Sequence, residues 1–100
     1  MKFMQIIDFE TERLEEMEQL LEEARQGLAG KQSGPTHRIL LKDRDTPGRY
    51  VALIEFESYD EAMRNSDDPE TSKLAQRLGA LCSREPRYTN CDLLDASELK

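Results

Sequence analysis

The apolar positions of the chain follow two different spacings, and the change from one to the other separates six predicted elements. Residues 1–9 are apolar at both odd and even positions, at Phe3, Met4, Ile6, Ile7 and Phe9. A strand that is apolar on both faces is buried on both sides. The pattern predicts a central strand, or one whose second face is covered by a partner.

A helix is predicted next, because the apolar residues now recur every three or four positions and draw one stripe. The stripe consists of Leu14, Met17, Leu21, Ala24 and Leu28. Thr11 is a suitable N-cap. Gly30 is a natural stop, and residues 32–35 are predicted to form a loop.

Two strand-like runs, residues 36–44 and 50–57, flank a turn in which Pro47 and Gly48 suit the central positions of a type II turn. The loop length sets which strand residues share a face, because side chains alternate. A two-residue loop places residues 37, 39 and 41 beside Ile54 and Phe56. A three-residue loop places residues 38, 40 and 42 there instead. We favour the first, because it gathers His37 with apolar neighbours on one face.

The second helical region is predicted to be interrupted. Ser58 and Glu61 fit a capping box, and the first stretch is expected to end near Asn65, with the break over residues 65–67. Asp68 then caps a second start, with Pro69 in its first turn. Leu74, Leu78 and Leu81 carry the new stripe, and residues 87–94 form the last strand.

The element order therefore predicts a single α+β domain over residues 1–100, with the ferredoxin-like layout β-α-β-β-α-β. In this layout an antiparallel sheet carries both helices on one face. The other face keeps apolar positions and needs a cover. A second copy of the chain would provide it, so we expect a homodimer.

The composition of the chain restricts the classes of partner that it can bind. The net charge is −7, from 21 acidic and 14 basic residues. This argues against nucleic acid and against anionic membrane surfaces. No stretch is apolar for long enough to span a bilayer, and the first residues lack a signal peptide's features. We expect a cytoplasmic protein. In that compartment Cys82 and Cys91 are expected to be free thiols, and with one histidine they make no convincing metal site.

Residues 54–65, Ile-Glu-Phe-Glu-Ser-Tyr-Asp-Glu-Ala-Met-Arg-Asn, carry a resemblance to a known family. With the length and layout, this stretch resembles the dimeric α/β-barrel superfamily, and within it the antibiotic-biosynthesis-monooxygenase-like branch. Phe56 takes the position of the family's Trp and Asn65 that of its His, while Ile54 replaces its Glu. Residues 66–69 fall where the family has a polar break.

The resemblance implies several activities, since the superfamily includes monooxygenases, haem degraders and isomerases. A haem degrader needs an axial nitrogen ligand where this chain has Asn65, and no flavin or nicotinamide fingerprint is present. We therefore expect no cofactor. A cofactor-free oxidation would need a base, a partner for the substrate anion and an apolar pocket. The candidates are His37 as base, Arg38 or Asn65 as anion partner, and Phe56, Tyr50 and Tyr59 as walls.

Two functions remain open from the sequence. The favoured one is a homodimeric module that binds a small apolar or aromatic ligand between the sheet and the second helical region. The alternative is a cofactor-independent monooxygenase acting on a phenolic or polyketide-like substrate. Each candidate also has a structural explanation: His37 could be an exposed strand residue, Arg38 a cross-strand ion-pair partner, and Asn65 a helix terminus.

Overall fold

The computed structural model describes residues 1–28 and 34–100 and contains one four-stranded antiparallel sheet. The elements are β1 (Phe3–Glu10), α1 (Leu14–Leu28), β2 (His37–Lys42), β3 (Arg49–Phe56), α2 (Tyr59–Asp67), α3 (Pro69–Ala80) and β4 (Arg87–Asp92). The strand order is β2-β3-β1-β4, and every neighbouring pair is antiparallel. The predicted ferredoxin-like α+β fold is confirmed, and β1 is central, which is one of the two positions that its pattern predicted.

The helices cover one face of the sheet, which we call the helix face. Phe9, Met17, Tyr50 and Ala52 form the main buried cluster, and half-buried leucines of α1 and α3 pack against it. A second cluster joins Phe3, Phe56 and Ala62 at the start of α2. The apolar stripe predicted for α1 therefore packs onto the sheet through Leu14, Met17 and Leu21.

The register of the β2–β3 hairpin differs from the one the sequence favoured. Arg38 lies opposite Ile54 and Leu40 opposite Ala52, so the even residues of β2 share the helix face. His37, Ile39 and Leu41 point to the other side of the sheet, which we call the open face. Grouping His37 with Phe56 was wrong.

The loop explains this difference. Asp43 still pairs with Arg49 through its backbone N–H, at 3.0 Å, so residues 44–48 form the loop. Within it Arg49 N–H donates to the Thr46 carbonyl at 3.2 Å across Pro47 and Gly48. Gly48 has φ +84°, the conformation that a type II turn requires of its third residue. The predicted turn is thus present, but inside a longer loop of odd length, which exchanges the faces of β2.

The second helical region is divided at one residue, two positions later than predicted. α2 continues through Asp67, and only Asp68 is extended, with φ −71° and ψ 125°. Pro69 explains the position, because the ring of a proline disfavours helical geometry in the residue before it. Ser58 and Asp68 cap the two helices by accepting from the N–H groups of Glu61 and Glu70, at 3.1 and 2.9 Å.

Thr11 is buried between β1 and α1, and its side chain makes one more hydrogen bond than the capping predicted for it requires. Its Oγ1 accepts from Arg13 N–H at 2.9 Å and donates to the Leu81 carbonyl at 2.6 Å, so it joins the start of α1 to the end of α3. The predicted stop at Gly30 and most of the loop after it lie outside the described residues. Within residues 1–28 and 34–100, no helix combines the length and apolarity needed to cross a membrane.

Candidate functional site

A cleft of about 510 Å³ lies between α1 on one side and the α2–α3 pair on the other. This volume is within the range of small-molecule sites. Its walls are apolar where the helices face each other and polar at the rim. The lining residues are Leu20, Glu23, Ala24, Gly27, Pro35, Arg64, Asn65, Asp68, Glu70, Thr71, Lys73, Leu74 and Arg77.

Asn65 lies in this cleft at the junction of α2 and α3. Its backbone carbonyl accepts from Asp68 N–H at 3.2 Å, and its Oδ1 accepts a long hydrogen bond of 3.4 Å from the Thr71 hydroxyl. Its φ is negative, so it is not the left-handed helix end that asparagine could have supplied. Among the described residues, Nδ2 of Asn65 donates no hydrogen bond to a side chain or carbonyl. This amide therefore offers two donors to a ligand oxygen.

The charged residues of the rim form ion pairs near the surface, two of which are long. Arg77 reaches Glu23 at 3.9 Å across the cleft, and Lys73 reaches Glu70 at 3.6 Å along α3. Arg64 pairs with Glu61 at 3.0 Å. Such exposed pairs contribute little to stability, so these cations can turn toward a bound anion at small cost.

His37 and Glu55 form a pair on the open face, away from the cleft. His37 Nδ1 lies 2.5 Å from Glu55 Oε2, and the Thr36 hydroxyl donates to the same oxygen at 3.0 Å. These hydrogen bonds, first from His37 and then from Thr36, lower the pKa of the Glu55 carboxyl. The His37 side chain is 72% exposed. The sheet separates it from Asn65, so the fold does not bring the predicted base and the predicted anion partner together within one chain.

The other predicted ligand residues are also dispersed. Phe56 is 4% exposed and packs on Phe3, with ring centroids 6.1 Å apart, while Tyr50 stacks on Phe9 at 5.6 Å. Both rings belong to the core beneath the helices and not to the wall of the cleft. Tyr59 is half exposed and meets Phe3 edge-on. The functional roles assigned to these residues remain predictions.

Arg38 is exposed on the helix face of the edge strand β2. Its charge acts on α1, where it is a minor contributor to the lowered pKa of Glu22, after the hydrogen bond from Arg25. It therefore faces the side of the sheet that carries the cleft, although it does not line the cleft itself.

Solved structures resemble this chain along almost its whole length. SnoaB, a cofactor-independent oxygenase from Streptomyces nogalater, superposes with a TM-score of 0.79 at 21% identity, covering 95% of each chain. The chain has the fold of the antibiotic-biosynthesis-monooxygenase-like proteins. A candidate antibiotic biosynthesis monooxygenase from Caulobacter crescentus gives 0.78 at 12% identity, covering 94% of this chain and 91% of that one. Rv0793 from Mycobacterium tuberculosis gives 0.75 at 17%, covering 98% and 100%.

No family model matches the sequence, and no curated protein does. At these identities the likeness establishes the fold and leaves function to the site.

On this monooxygenase-like fold, the sequence identified one residue of the cleft, Asn65, and missed most of its apolar wall. Leu20 lies beside the stripe that packs α1 on the sheet. Only that one apolar stripe was assigned to α1 from the sequence, and Leu20 was therefore omitted. The signal was present, because Leu20, Ala24 and Gly27 are spaced by four and three and widen the apolar face of α1. Leu74 was predicted to belong to one apolar stripe with Leu78 and Leu81. It lines the cleft, whereas Leu78 and Leu81 pack against the core.

Proposed function

We propose that this protein is a homodimer that binds a small apolar or aromatic ligand carrying an oxygen acceptor, in the cleft between α1 and the α2–α3 pair. The observation that carries the proposal is the combination of an apolar wall, formed by Leu20, Ala24 and Leu74, with the Asn65 amide beside it. A planar apolar body fits the wall, and a carbonyl or phenolic oxygen reaches the amide. Rim cations add attraction for an oxygen that carries negative charge.

This position refines the one that the sequence suggested. The sequence placed the ligand between the sheet and the second helical region. Beneath α2 that space is occupied by Phe56 and Ala62, both buried. The space that remains lies between the helices, above the sheet.

The binding experiment uses 1-naphthol as a probe, since the chain contains no tryptophan to overlap with its fluorescence. Ala24→Leu places a larger side chain in the cleft and should weaken naphthol binding by about tenfold or more, the equivalent of ~1.4 kcal/mol. Ala75→Leu makes the same chemical change at an exposed position of α3 outside the cleft and should have no effect. Equal binding by both variants would place the ligand elsewhere.

Dimerisation is supported by the open face. Ile39 and Leu41 there are 50% and 45% exposed in the single chain, and half-buried Ile6, Val51 and Leu53 lie beside them. A stable interface would bury roughly 1,600 Å² in total, or more if the dimer is obligate. Light scattering at tens of micromolar should give twice the chain mass. A monomer mass would remove this part of the proposal.

A second candidate is a cofactor-independent monooxygenase acting on a phenolic substrate. It is favoured by the similarity to SnoaB, which is a cofactor-independent oxygenase and was also solved as an asparagine-to-alanine variant. In such chemistry a base removes a proton from the substrate, and the anion passes electrons to dioxygen. Since His37 lies on the open face, a base in this cleft would be one of its carboxylates, Glu23, Asp68 or Glu70.

An oxygen electrode separates the two candidates, with anthrone as the probe. Enzymatic oxidation would consume one O₂ per anthrone. One oxygen atom would enter the anthraquinone, and the other would leave as water with the two hydrogens lost from the ring. The monooxygenase candidate requires oxygen uptake above the uncatalysed rate that falls in the Ala24→Leu variant and not in Ala75→Leu. Binding without uptake supports the module that only binds.

A further inference from the structure

A second cavity, of about 380 Å³, adjoins the cleft along α1 and α3. The residues that line it are Glu16, Gln19, Leu20, Glu23, Arg77 and Leu81. Three of these, Leu20, Glu23 and Arg77, also line the cleft. The two spaces are therefore neighbouring parts of one groove between α1 and α3, and the Arg77–Glu23 pair crosses the groove where they meet.

This cross-groove pair is held more loosely than the pairs within α1. Nη2 of Arg77 lies 3.9 Å from Oε2 of Glu23, which is too long for a hydrogen bond. By contrast, Arg25 donates two hydrogen bonds to Glu22, at 3.0 and 2.7 Å. The side chains of Arg77 and Glu23 are 63% and 58% exposed, so each returns to water when the pair opens. Opening the pair should therefore cost little.

The charges around the second cavity favour a carboxylate as the group that opens the pair. Glu16 is already engaged, because it accepts hydrogen bonds from Arg13 at 2.9 and 2.5 Å. A cationic group would have to replace Arg77 beside Glu23, whereas an anionic group would join Arg77. The guanidinium presents its N–H donors in a planar fork that matches the two oxygens of a carboxylate.

The spacing along α3 sets the length of a ligand that reaches both ends of the cleft. Asn65 lies at the α2–α3 junction, near Asp68. Arg77 lies roughly 13 Å from Asp68 along the axis of α3, since an α-helix rises about 1.5 Å per residue. Helical side chains lean toward the N-terminus, so the guanidinium lies closer to Asn65 than its own Cα does. A ligand that contacts both residues needs oxygen groups at opposite ends of an elongated body.

We propose that the ligand is an elongated aromatic acid, with a carbonyl or phenolic oxygen on Asn65 at one end and a carboxylate that takes Arg77 from Glu23 at the other. Its apolar body would lie on Leu20 and Leu74 between these polar ends. This inference rests on the ligand site of the proposed function, and adds to it the class of ligand and the residue that selects it. Arg77 is then the residue that determines specificity.

Three probes with one ring system test the class of ligand: 2-naphthol, 6-hydroxy-2-naphthoate and 6-(aminomethyl)-2-naphthol. Fluorescence titration at neutral pH measures their dissociation constants. The wild type should bind the naphthoate about tenfold more tightly than 2-naphthol, because the carboxylate adds charge-assisted hydrogen bonds. This preference should decrease as salt is added, since the ion pair lies near the surface. Equal binding of the acid and 2-naphthol, or tightest binding of the amine, would overturn the proposal.

Variants of the cross-groove pair test the role of Arg77. Arg77→Gln should abolish the preference for the naphthoate over 2-naphthol. Glu23→Gln should increase it, because the guanidinium loses its competing partner. Arg25→Gln and Glu22→Gln alter a matched pair of α1 that does not line the groove, and both should keep the wild-type preference. A preference that persists in Arg77→Gln would show that another group selects the acid, and would overturn the assignment.

Ala24→Leu separates a failure of this inference from a failure of the proposed function. If 2-naphthol does not bind, or binds Ala24→Leu as tightly as the wild type, the ligand site is wrong and both proposals are overturned. If Ala24→Leu weakens 2-naphthol binding but no preference for the naphthoate depends on Arg77, the cleft remains the ligand site. In that case only the elongated acid is overturned.

Discussion

The two faces of the sheet are built from the same four strands but differ in how far their apolar side chains are buried and in how many charges they carry. On the helix face, Phe3, Phe9, Tyr50 and Phe56 are buried and pack with the helices into a core without charges. On the open face, apolar side chains stay half exposed and share the surface with networks of ion pairs. The first face is therefore complete within one chain, whereas the second keeps half-exposed apolar side chains that the proposed dimer would cover. Substitutions on the two faces should therefore affect different measurements.

The largest effect is expected on the helix face. Phe56→Ala removes a ring that is 4% exposed, and should cost about 3–5 kcal/mol of unfolding free energy, because a large buried side chain leaves a cavity. Tyr59→Ala, at a half-exposed ring nearby, should cost markedly less. Urea denaturation at one protein concentration measures both. Equal costs would mean that the core does not extend to the end of β3 as described.

The next effect concerns the open face. Leu53→Asp places a carboxylate among the apolar side chains of the open face, and should weaken the proposed dimer by at least about 100-fold, or ~2.7 kcal/mol, because the charge would be desolvated in the interface. Sedimentation equilibrium measures the change. Ser66→Asp adds the same charge at an exposed position of α2 and should leave the dimer intact. If Leu53→Asp remained fully dimeric, the partner surface would lie elsewhere.

A smaller effect is expected on the pH dependence of the unfolding free energy, to which carboxylates of the open face contribute. The pKa values of Asp8, held by Arg49 and Arg84, and of Asp43, held by the N–H of Asp45 and by Arg49, lie below the ordinary value of 3.8. The folded state therefore binds fewer protons than the unfolded state, so their stabilisation is present above pH ~4 and disappears as the pH falls through the folded pKa values. Unfolding free energy should decrease from about pH 5 to pH 3.

The same carboxylates supply the control for this pH experiment. Asp8→Asn should flatten the decrease, since the group that binds the extra proton is gone. Asp95→Asn, in the tail after β4, should reproduce the wild-type curve. An identical slope in Asp8→Asn and wild type would show that the ion network of the open face does not contribute to acid sensitivity.

The smallest effect tests the cleft. Asn65→Ala should weaken 1-naphthol binding by the cost of one hydrogen bond, on the order of 1 kcal/mol, and leave the dimer intact. Asn90→Ala, on β4 outside the cleft, should bind the probe like the wild type. If Asn65→Ala lost as much stability as Phe56→Ala and bound naphthol unchanged, Asn65 would be a structural residue of the α2–α3 junction.

The sequence predicted more of the fold than of the site, and the reason is the range of the interactions involved. The stripe of α1, the capping Ser58, the turn at Pro47-Gly48 and the restart at Asp68-Pro69 depend on neighbours within a few residues, so local patterns specify them. The position of the break was missed by two residues. The sequence placed the break over residues 65–67 and the end of the first helix near Asn65, whereas α2 ends at Asp67 and the local rule for residues before proline pointed to Asp68.

Asn65 is the one residue of the cleft that was predicted from the sequence. The resemblance singled out this residue, and the structure places it in the cleft. The other candidates came from neighbouring strands and from α2, and they are dispersed. Phe56 and Tyr50 lie in the core, His37 on the open face, Arg38 on the helix face of the edge strand, and Tyr59 at the exposed start of α2. The cleft itself depends on Leu20 and Ala24 of α1 meeting Leu74 of α3, which are about fifty residues away in the chain.

What the sequence determined by itself is therefore the set of elements, their order and the surplus of apolar positions that one helix layer cannot cover. Only the tertiary structure decided which side of the sheet each β2 residue faces, because a loop of five residues in place of two reverses the alternation. That reversal moved His37 to the open face and Arg38 to the helix face. Faces and clefts depend on register and on helix contacts between distant residues, and these are fixed only when the whole chain packs.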